Sequence, residues 1–570
     1  QQVNQLRLDL CTTDELDKAR HIIESQQIYG RETVQGVARR LGYYAVVAGS
    51  HEEEALYYDR IRTASREDIL RVAQQYLTPG NLSTVHLASE TDDGRVSQDH
   101  LVDVANTVMT APTHLNEPVL SKPPKKQSVA PTLRTGSKTP VRDSVAEYSI
   151  PGGPRLLVMR DTTLPIVAIR ALTQGGLPLE AQGKGGSGRL MSTVLTLGTQ
   201  SRSANDMAVT VESLAGYLDA FSGRDVAGVR CGFLSHHLDE GWELFAETLR
   251  EPAFSESEIE RERSLQLEDI RCQADRPASL TIRKMTEQLY KGHPHGNPVL
   301  GTETSVASIT REDLLAYYDR VFHPSRLVLT VVGDVDPDHI VDLLGSLLPE
   351  RDRYVSKELL EVPSNTKLDQ AMVGRLTGDG TQAHVAIGFN GLTFSDPRRP
   401  TLDVLLTVLS GQSGRLFLEL RDRKSLAYSV NASSFEGSDS GFVYTYMGTS
   451  PDKLQVARRG LEEALSKLVN ERISPSELER AQRYVTGVHD IGLQRYAMRA
   501  AHYGINTIYG VDRNRFEEYS NEVRAVSRDD VQSLAAQLID FDRSSVALFL
   551  PKTEEKDVRG TRPSDVLTLH

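Results

Sequence analysis

SESEIERER (residues 255–263), followed by ITREDLLAYYDRVF (309–322), decides the fold, because this pair of segments stands in the chain three times. Upstream the pair is TTDELDKAR (12–20) with ASREDILRVAQQYL (64–77), and downstream it is SPSELERAQ (474–482) with VSRDDVQSLAAQLI (526–539). Counting from Leu16 to Ser65, Ile259 to Thr310 and Leu478 to Ser527, the separations are 49, 51 and 49 residues. Regular spacing of this kind marks one structural unit used repeatedly. Ser65, Thr310 and Ser527 stand where helices begin, with Asp68, Asp313 and Asp530 three residues on. The hydroxyl accepts from the third helical amide, and the acid complements the helix dipole. After each helix comes a short apolar run, LSTVHLA (82–88), LVLTVVG (327–333) or SVALFL (545–550), which predicts a closing strand.

Outward from these landmarks the chain divides. Between Pro112 and Asp143, six prolines and six Lys or Arg residues face only Glu117 and Asp143, the composition of a polar, extended linker. Beyond it, AEYSIPGGPRLLVMRD and LPIVAIRALTQGG suggest a hairpin opening the second module, and MVGRLTGDGTQAHVAIGFNG (372–391) opens the third similarly. Both modules are α+β. The first copy has no such opening, so the chain is expected to begin halfway through a domain. The expected organisation is a half-domain over 1–111, the linker over 112–143, a complete module over 144–364 and another over 365–570.

At 570 residues, with 39% hydrophobic and 25% charged residues, the chain belongs to the globular, multidomain class. Its formal charge of −13 lacks the basic surface that phosphate backbones require, so no nucleic-acid partner is expected. Cys11, Cys231 and Cys272 are too few and too scattered for a disulfide framework. No run approaches the ~18 apolar residues of a membrane span, and QQVNQLRLDLCTTDELDKAR has no basic-then-apolar export signal. It also lacks an initiator Met, so a signal could have preceded it.

FSESEIERERSLQLEDIR (254–271), HPHGNPVLGTETSVASITREDLLAYYDRVFHPSRLVLTVVGDVDP (293–337) and SGQSGRLFLELRDRKSLAYSV (410–430) together resemble the insulinase/pitrilysin family of zinc metallopeptidases, the inverzincins. The resemblance implies repeated α+β domains, each an antiparallel-rich sheet packed with helices. The family's metal motif is H-x-x-E-H on a helix, with a distant Glu as the third ligand. GKGGSGRLMSTVLTLGT (183–199) matches the stretch around that motif, with Gly198-Thr199 fixing the register. The ligand and base positions then hold Arg189, Ser192 and Thr193, and the distant carboxylate falls near Glu268 or Asp269. None of the first three supplies an imidazole or a general base, so no zinc is expected in this chain. The histidines agree, since no two are three or four residues apart. His236-His237 and the His293/His295 pair remain metal candidates by residue type, with surface or turn histidines as the simpler reading.

The family's second functional element, an Arg and a Tyr that bind the substrate backbone and stabilise the tetrahedral intermediate, matches Arg421 and Tyr428. A forked guanidinium and a neutral phenol suit a carbonyl becoming an oxyanion. The alternative makes Arg421 a helix-surface charge and Tyr428 a half-buried strand residue. GKGGSG (183–188) lacks the ordered phosphate-loop pattern and fits a helix entry. Trp242, at helical spacing with Leu238, Phe245 and Leu249, fits a core.

The resemblance thus implies the carboxy-terminal part of a bacterial zinc endopeptidase that cleaves peptides or small unfolded proteins in an enclosed chamber. Zn2+ would lie outside this chain, on an upstream half or partner chain, with a periplasmic or cell-envelope location. A non-catalytic scaffold or a peptide-binding pseudo-peptidase is the alternative, and an H-x-x-E-H upstream would decide between them.

Overall fold

The computed structural model describes residues 2–83, 85, 141–149, 153–345 and 367–552. They fall into two compact units, Gln1–Val141 with Thr210–Gly216, and Arg142–Val209 with Tyr217–His570.

Among the described residues before Val141 the first unit carries five α-helices, Gln2–Leu8, Thr13–Tyr29, Val34–Val46, Glu53–Thr63 and Arg66–Tyr76. Thr12 and Ser65 close capping boxes with Glu15 and Asp68, satisfying amides that the first helical turn leaves open. In these five helices only Leu16 and Ala73 are buried apolar side chains. Most of the run expected as this copy's closing strand, and the linker as far as Pro140, lie outside the described residues.

Among its described residues the second unit holds two mixed sheets built to one plan. The first contains β1 (Ala146–Ser149), β2 (Arg155–Arg160), β3 (Ile166–Gln174), β4 (Tyr217–Ser222), β5 (Val226–Leu234) and β6 (Val328–Gly333), in the order β1-β2-β6-β3-β5-β4. The second contains β7 (Met372–Gly378), β8 (Ala383–Asn390), β9 (Ser429–Glu436), β10 (Gly441–Thr449) and β11 (Ser545–Pro551), in the order β7-β11-β8-β10-β9. Without β1, the two orders correspond strand for strand. β6 runs parallel to β2 and β11 parallel to β7, and every other pairing is antiparallel.

The strand pairing departs from the expected opening hairpins. β1 and β2 form a hairpin, but β3 does not pair with β2, nor β8 with β7, because the closing strand of each module inserts between them. All six residues of β6 and all seven of β11 are buried, so these unbroken apolar runs are stable only in the middle of a sheet covered on both faces.

Thr310 and Ser527 cap their helices through Asp313 and Asp530, as the sequence implies. The helix Leu454–Asn470 buries Leu454, Ala457, Leu461, Ala464, Leu465 and Leu468, an i, i+3, i+4 stripe turned to the core. Trp242 is 1% exposed and donates its indole N–H to the Leu343 carbonyl at 3.0 Å.

The two modules of this unit exchange helices. Pro277–Leu289, from the first, packs on β8 and β11 of the second, and Tyr496–Ile508, from the second, packs on β3 and β6 of the first. Arg499 carries the latter contact through a buried ion pair with Asp161 at 2.8 Å, both side chains under 5% exposed. Tyr496 donates to the same carboxylate at 3.0 Å. Burial alone would raise the Asp161 carboxyl, and the bonds from Thr163 and Arg499 outweigh it and hold it below its ordinary value.

Candidate functional site

The degenerate motif lies on the helix Ser187–Leu195, entered through Gly186 at φ +89°, where a Cβ would stand 2.5 Å from the Leu300 carbonyl oxygen. GKGGSG is therefore a helix entry. Glu180 accepts from the Gly186 and Gly188 amides at 3.1 and 2.9 Å through one carboxylate oxygen. The other, Oε2, is buried with no partner among the described residues. Burial pushes this carboxyl up to about 7, against the opposing pull of the two amides.

At two of the three motif positions the side chain bonds within its own helix. Ser192 Oγ and Thr193 Oγ1 donate to the Arg189 carbonyl at 2.9 and 3.0 Å, so both hydroxyls are spent on their own helix. Glu268 and Asp269 are exposed on the helix Glu256–Ala274. From that helix it is Gln266 that faces the motif, donating to the Gly186 and Leu300 carbonyls. A guanidinium and two internally bonded hydroxyls do not fit zinc, and no step through zinc is derived from them.

Among the described residues, His293, His295 and Asp439 place one potential ligand atom each within 4.8 Å of the others. The histidines lie in a turn, but they are buried, at 5% and 0% exposure, and not on the surface. His293 Nδ1 accepts the His295 backbone N–H at 3.2 Å, which leaves the proton on Nε2, 2.9 Å from Asp439. His295 Nε2 lies 2.6 Å from Asp225 and its Nδ1 3.3 Å from Ser440 Oγ. The ring nitrogens are thus all committed to hydrogen bonds, two of which, His293 to Asp439 and His295 to Ser440, tie the two modules of the unit together. Burial would raise the Asp225 carboxyl, yet hydrogen bonds from His295 and Ser438 hold it low. Sequence spacing gave no sign of Asp225 or Asp439, which stand about 70 and 145 residues from the histidines they meet. The His236 and His237 rings lie with centroids 4.1 Å apart, tilted 48° to each other.

Arg421 and Tyr428 sit in a different setting. Arg421 is exposed on a π-helical segment, Phe417–Arg423, its guanidinium carbon 4.9 Å from the Phe417 ring centroid. π-helical turns are uncommon and concentrate at functional sites. Between the two residues Ser425 adopts φ +49°, a left-handed backbone costing about 1–2 kcal/mol for a residue with a Cβ. Tyr428 is 73% exposed, not half-buried, and its amide donates to the Gly448 carbonyl at 3.0 Å. It leads directly into β9, an edge strand, against which the π-helical segment packs.

With this geometry the chain matches known proteins in both modules of the second unit. Residues 156–303 match the family described as Insulinase (Peptidase family M16), and 308–485 match the Peptidase M16 inactive domain. An uncharacterized zinc protease of Bacillus subtilis is 27% identical over 410 residues, which cover 71% of this chain and 98% of the relative. One from Mycobacterium leprae is 27% identical over 428 residues, covering 72% and 93%. Two solved structures share the fold. A protease from Helicobacter pylori has a TM-score of 0.66 and 19% identity, covering 72% of this chain and all of that one. A peptidase M16 inactive domain from Pseudomonas fluorescens has 0.65 and 18%, covering 72% and 98%. The chain belongs to the insulinase family.

Proposed function

We propose that this chain is the carboxy-terminal part of a zinc-dependent endopeptidase that cleaves peptides or small unfolded proteins inside an enclosed chamber. It supplies chamber wall and substrate contacts, while zinc is held by an upstream half or a partner chain. In this reading 1–111 is the second half of an insulinase-type domain, 112–143 a linker, 144–364 a degenerate module and 365–570 the module that presents Arg421 and Tyr428. The observation that carries it is the contrast in exposure. The Ser192 and Thr193 hydroxyls are bonded within their own helix, whereas Arg421 and Tyr428 face solvent from a segment whose backbone is strained at Ser425. A structural role needs neither exposed head group, but a role on substrate needs both. The zinc-protease descriptions of the relatives support the class of reaction. No described helix is long and apolar enough to cross a membrane, and the periplasmic location rests on the resemblance alone.

The reading requires that the 570-residue chain by itself bind no stoichiometric zinc and leave peptides intact, and that hydrolysis arise once a half bearing H-x-x-E-H is supplied. Metal analysis of the purified chain is the direct check. One tightly held zinc per chain would overturn the division of labour.

A further inference from the structure

The helix Val34–Val46 has two counterparts in the second unit, and all three begin at one point of the repeat. Val34, Pro277 and Tyr496 stand 18 residues after Leu16, Ile259 and Leu478 respectively. The counterparts are the two exchanged helices, each laid on the sheet of another module. At the fifth, ninth and twelfth positions both are buried, as Thr281, Met285 and Gln288 in one and Ala500, Gly504 and Thr507 in the other. The same positions of the first helix are Ala38, Gly42 and Ala45, and all three are exposed. Val34, Leu41 and Val46, on or beside this face, are 69%, 48% and 83% exposed.

Gly42 is the second observation. A mid-helix glycine is unfavourable unless something must come close. At Gly504 something does, for a Cβ there would lie 2.6 Å from Leu172 Cδ1 and 3.2 Å from Thr330 Cγ2 of the covered sheet. In the other exchanged helix the closest approach falls at the same position with the roles reversed, Met285 pressing on Gly388, where a Cβ would be 2.1 Å from its sulfur. At Gly42 a Cβ would meet nothing within 4 Å.

We propose that the Val34–Val46 face, centred on Gly42, docks onto the central strands of a further insulinase-type sheet, with a large apolar side chain of that sheet seated on Gly42 as Leu172 is on Gly504. This rests on the zinc-bearing half proposed above and names the surface that receives it. A second copy of this chain is not the occupant, because the matching faces of its two sheets, β3 with β6 and β8 with β11, are already covered by its own exchanged helices.

The test measures binding of the purified chain to a purified insulinase-type half that carries H-x-x-E-H and its own sheet. Gly42→Arg and Ala38→Glu weaken binding about a hundredfold or more, and Gly42→Ala weakens it about tenfold through overpacking. Because alanine is the better helix former, Gly42→Ala also raises amide protection of the helix in the chain alone, so helix stability and affinity move in opposite directions. Val456→Glu, exposed on the helix Leu454–Asn470, leaves binding unchanged. If the parent chain binds and Gly42→Arg binds equally well, the docking face is wrong while the two-half reading stands. If the parent chain does not bind that half, the two-half reading fails and the docking proposal fails with it. A dimer of the chain alone that Gly42→Arg abolishes would overturn the choice of occupant.

Discussion

The helix Ser187–Leu195 and the segment from Phe417 to Tyr428 stand in modules of one topology, yet they treat their polar groups in opposite ways. In the first, Glu180, Ser192, Thr193 and Gln266 all spend hydrogen bonds on nearby backbone. In the second, a guanidinium and a phenol are left in solvent beside a left-handed serine. In the proposed reading the first region, released from chemistry, has spent most of its polar groups internally, with Glu180 Oε2 and Ser187 Oγ as the buried exceptions, whereas the second, still engaged, keeps unspent donors and some strain. The contrast can be broken at either end.

The largest effect belongs to the exposed end. Removing a donor to a developing oxyanion costs about 2.7–4 kcal/mol, or ~10²–10³ in rate, and the loss falls on turnover more than on ground-state binding. Tyr428→Phe keeps the ring and deletes only the hydroxyl, so steady-state kinetics of the assembled peptidase should lose kcat while KM changes little. Arg421→Lys keeps the charge and loses the fork, which separates geometry from charge. Both variants should melt with the parent, since neither head group is buried. Parent-like turnover in Tyr428→Phe would return that residue to a structural role.

Why one end was legible in the sequence and the other only partly follows from the range of the interactions. Arg421 and Tyr428 lie seven residues apart within one quoted stretch, and the caps at Ser65, Thr310 and Ser527 depend on residues three apart, so local reading finds them. Insertion of β6 between β2 and β3 depends on strands separated by well over a hundred residues, and the apolar run that makes β6 central does not name its neighbours. The burial of His293 and His295 was missed for the same reason, because Asp225 and Asp439 come from distant turns. Glu180 left no pattern at all. A lone acid in a glycine-rich stretch looks solvated until the helix it caps is in place.

At the buried end Glu180 makes stability depend on pH. Its carboxyl is raised from 4.5 to about 7 in the folded chain, so the folded state binds the proton more tightly than the unfolded one. Stability from this group is fully present below about pH 4.5 and is lost as pH rises through about 7. The full excursion is about 3 kcal/mol. Glu180→Gln cannot ionise and still offers an oxygen to the Gly186 and Gly188 amides. Urea unfolding at pH 5 and pH 8 should therefore show a difference between the two conditions that is smaller in Glu180→Gln by about 2–3 kcal/mol. Equal differences in parent and variant would mean that water or a cation reaches Oε2, and the region would no longer count as closed.

The smallest effect tests whether the motif positions have left the chemistry altogether. Ser192→Ala removes a hydroxyl that bonds only to the carbonyl three residues back in its own helix. The Arg189 carbonyl keeps Thr193 Oγ1 as a donor at 3.0 Å, so nothing is left unsatisfied. Alanine is also the better helix former, which offsets the lost bond, and the net change in stability should stay within about 0.5 kcal/mol. Thr193→Ala should behave alike on the helix but gives up a half-buried methyl, at a cost of up to about 1 kcal/mol. In the assembled peptidase neither change should move kcat or KM by as much as twofold, because neither hydroxyl is free to meet substrate. A tenfold loss of turnover in Ser192→Ala with an unchanged melting temperature would show that this hydroxyl leaves its helix to act on the substrate. The inward-bonded end would then be a resting state and not a relic.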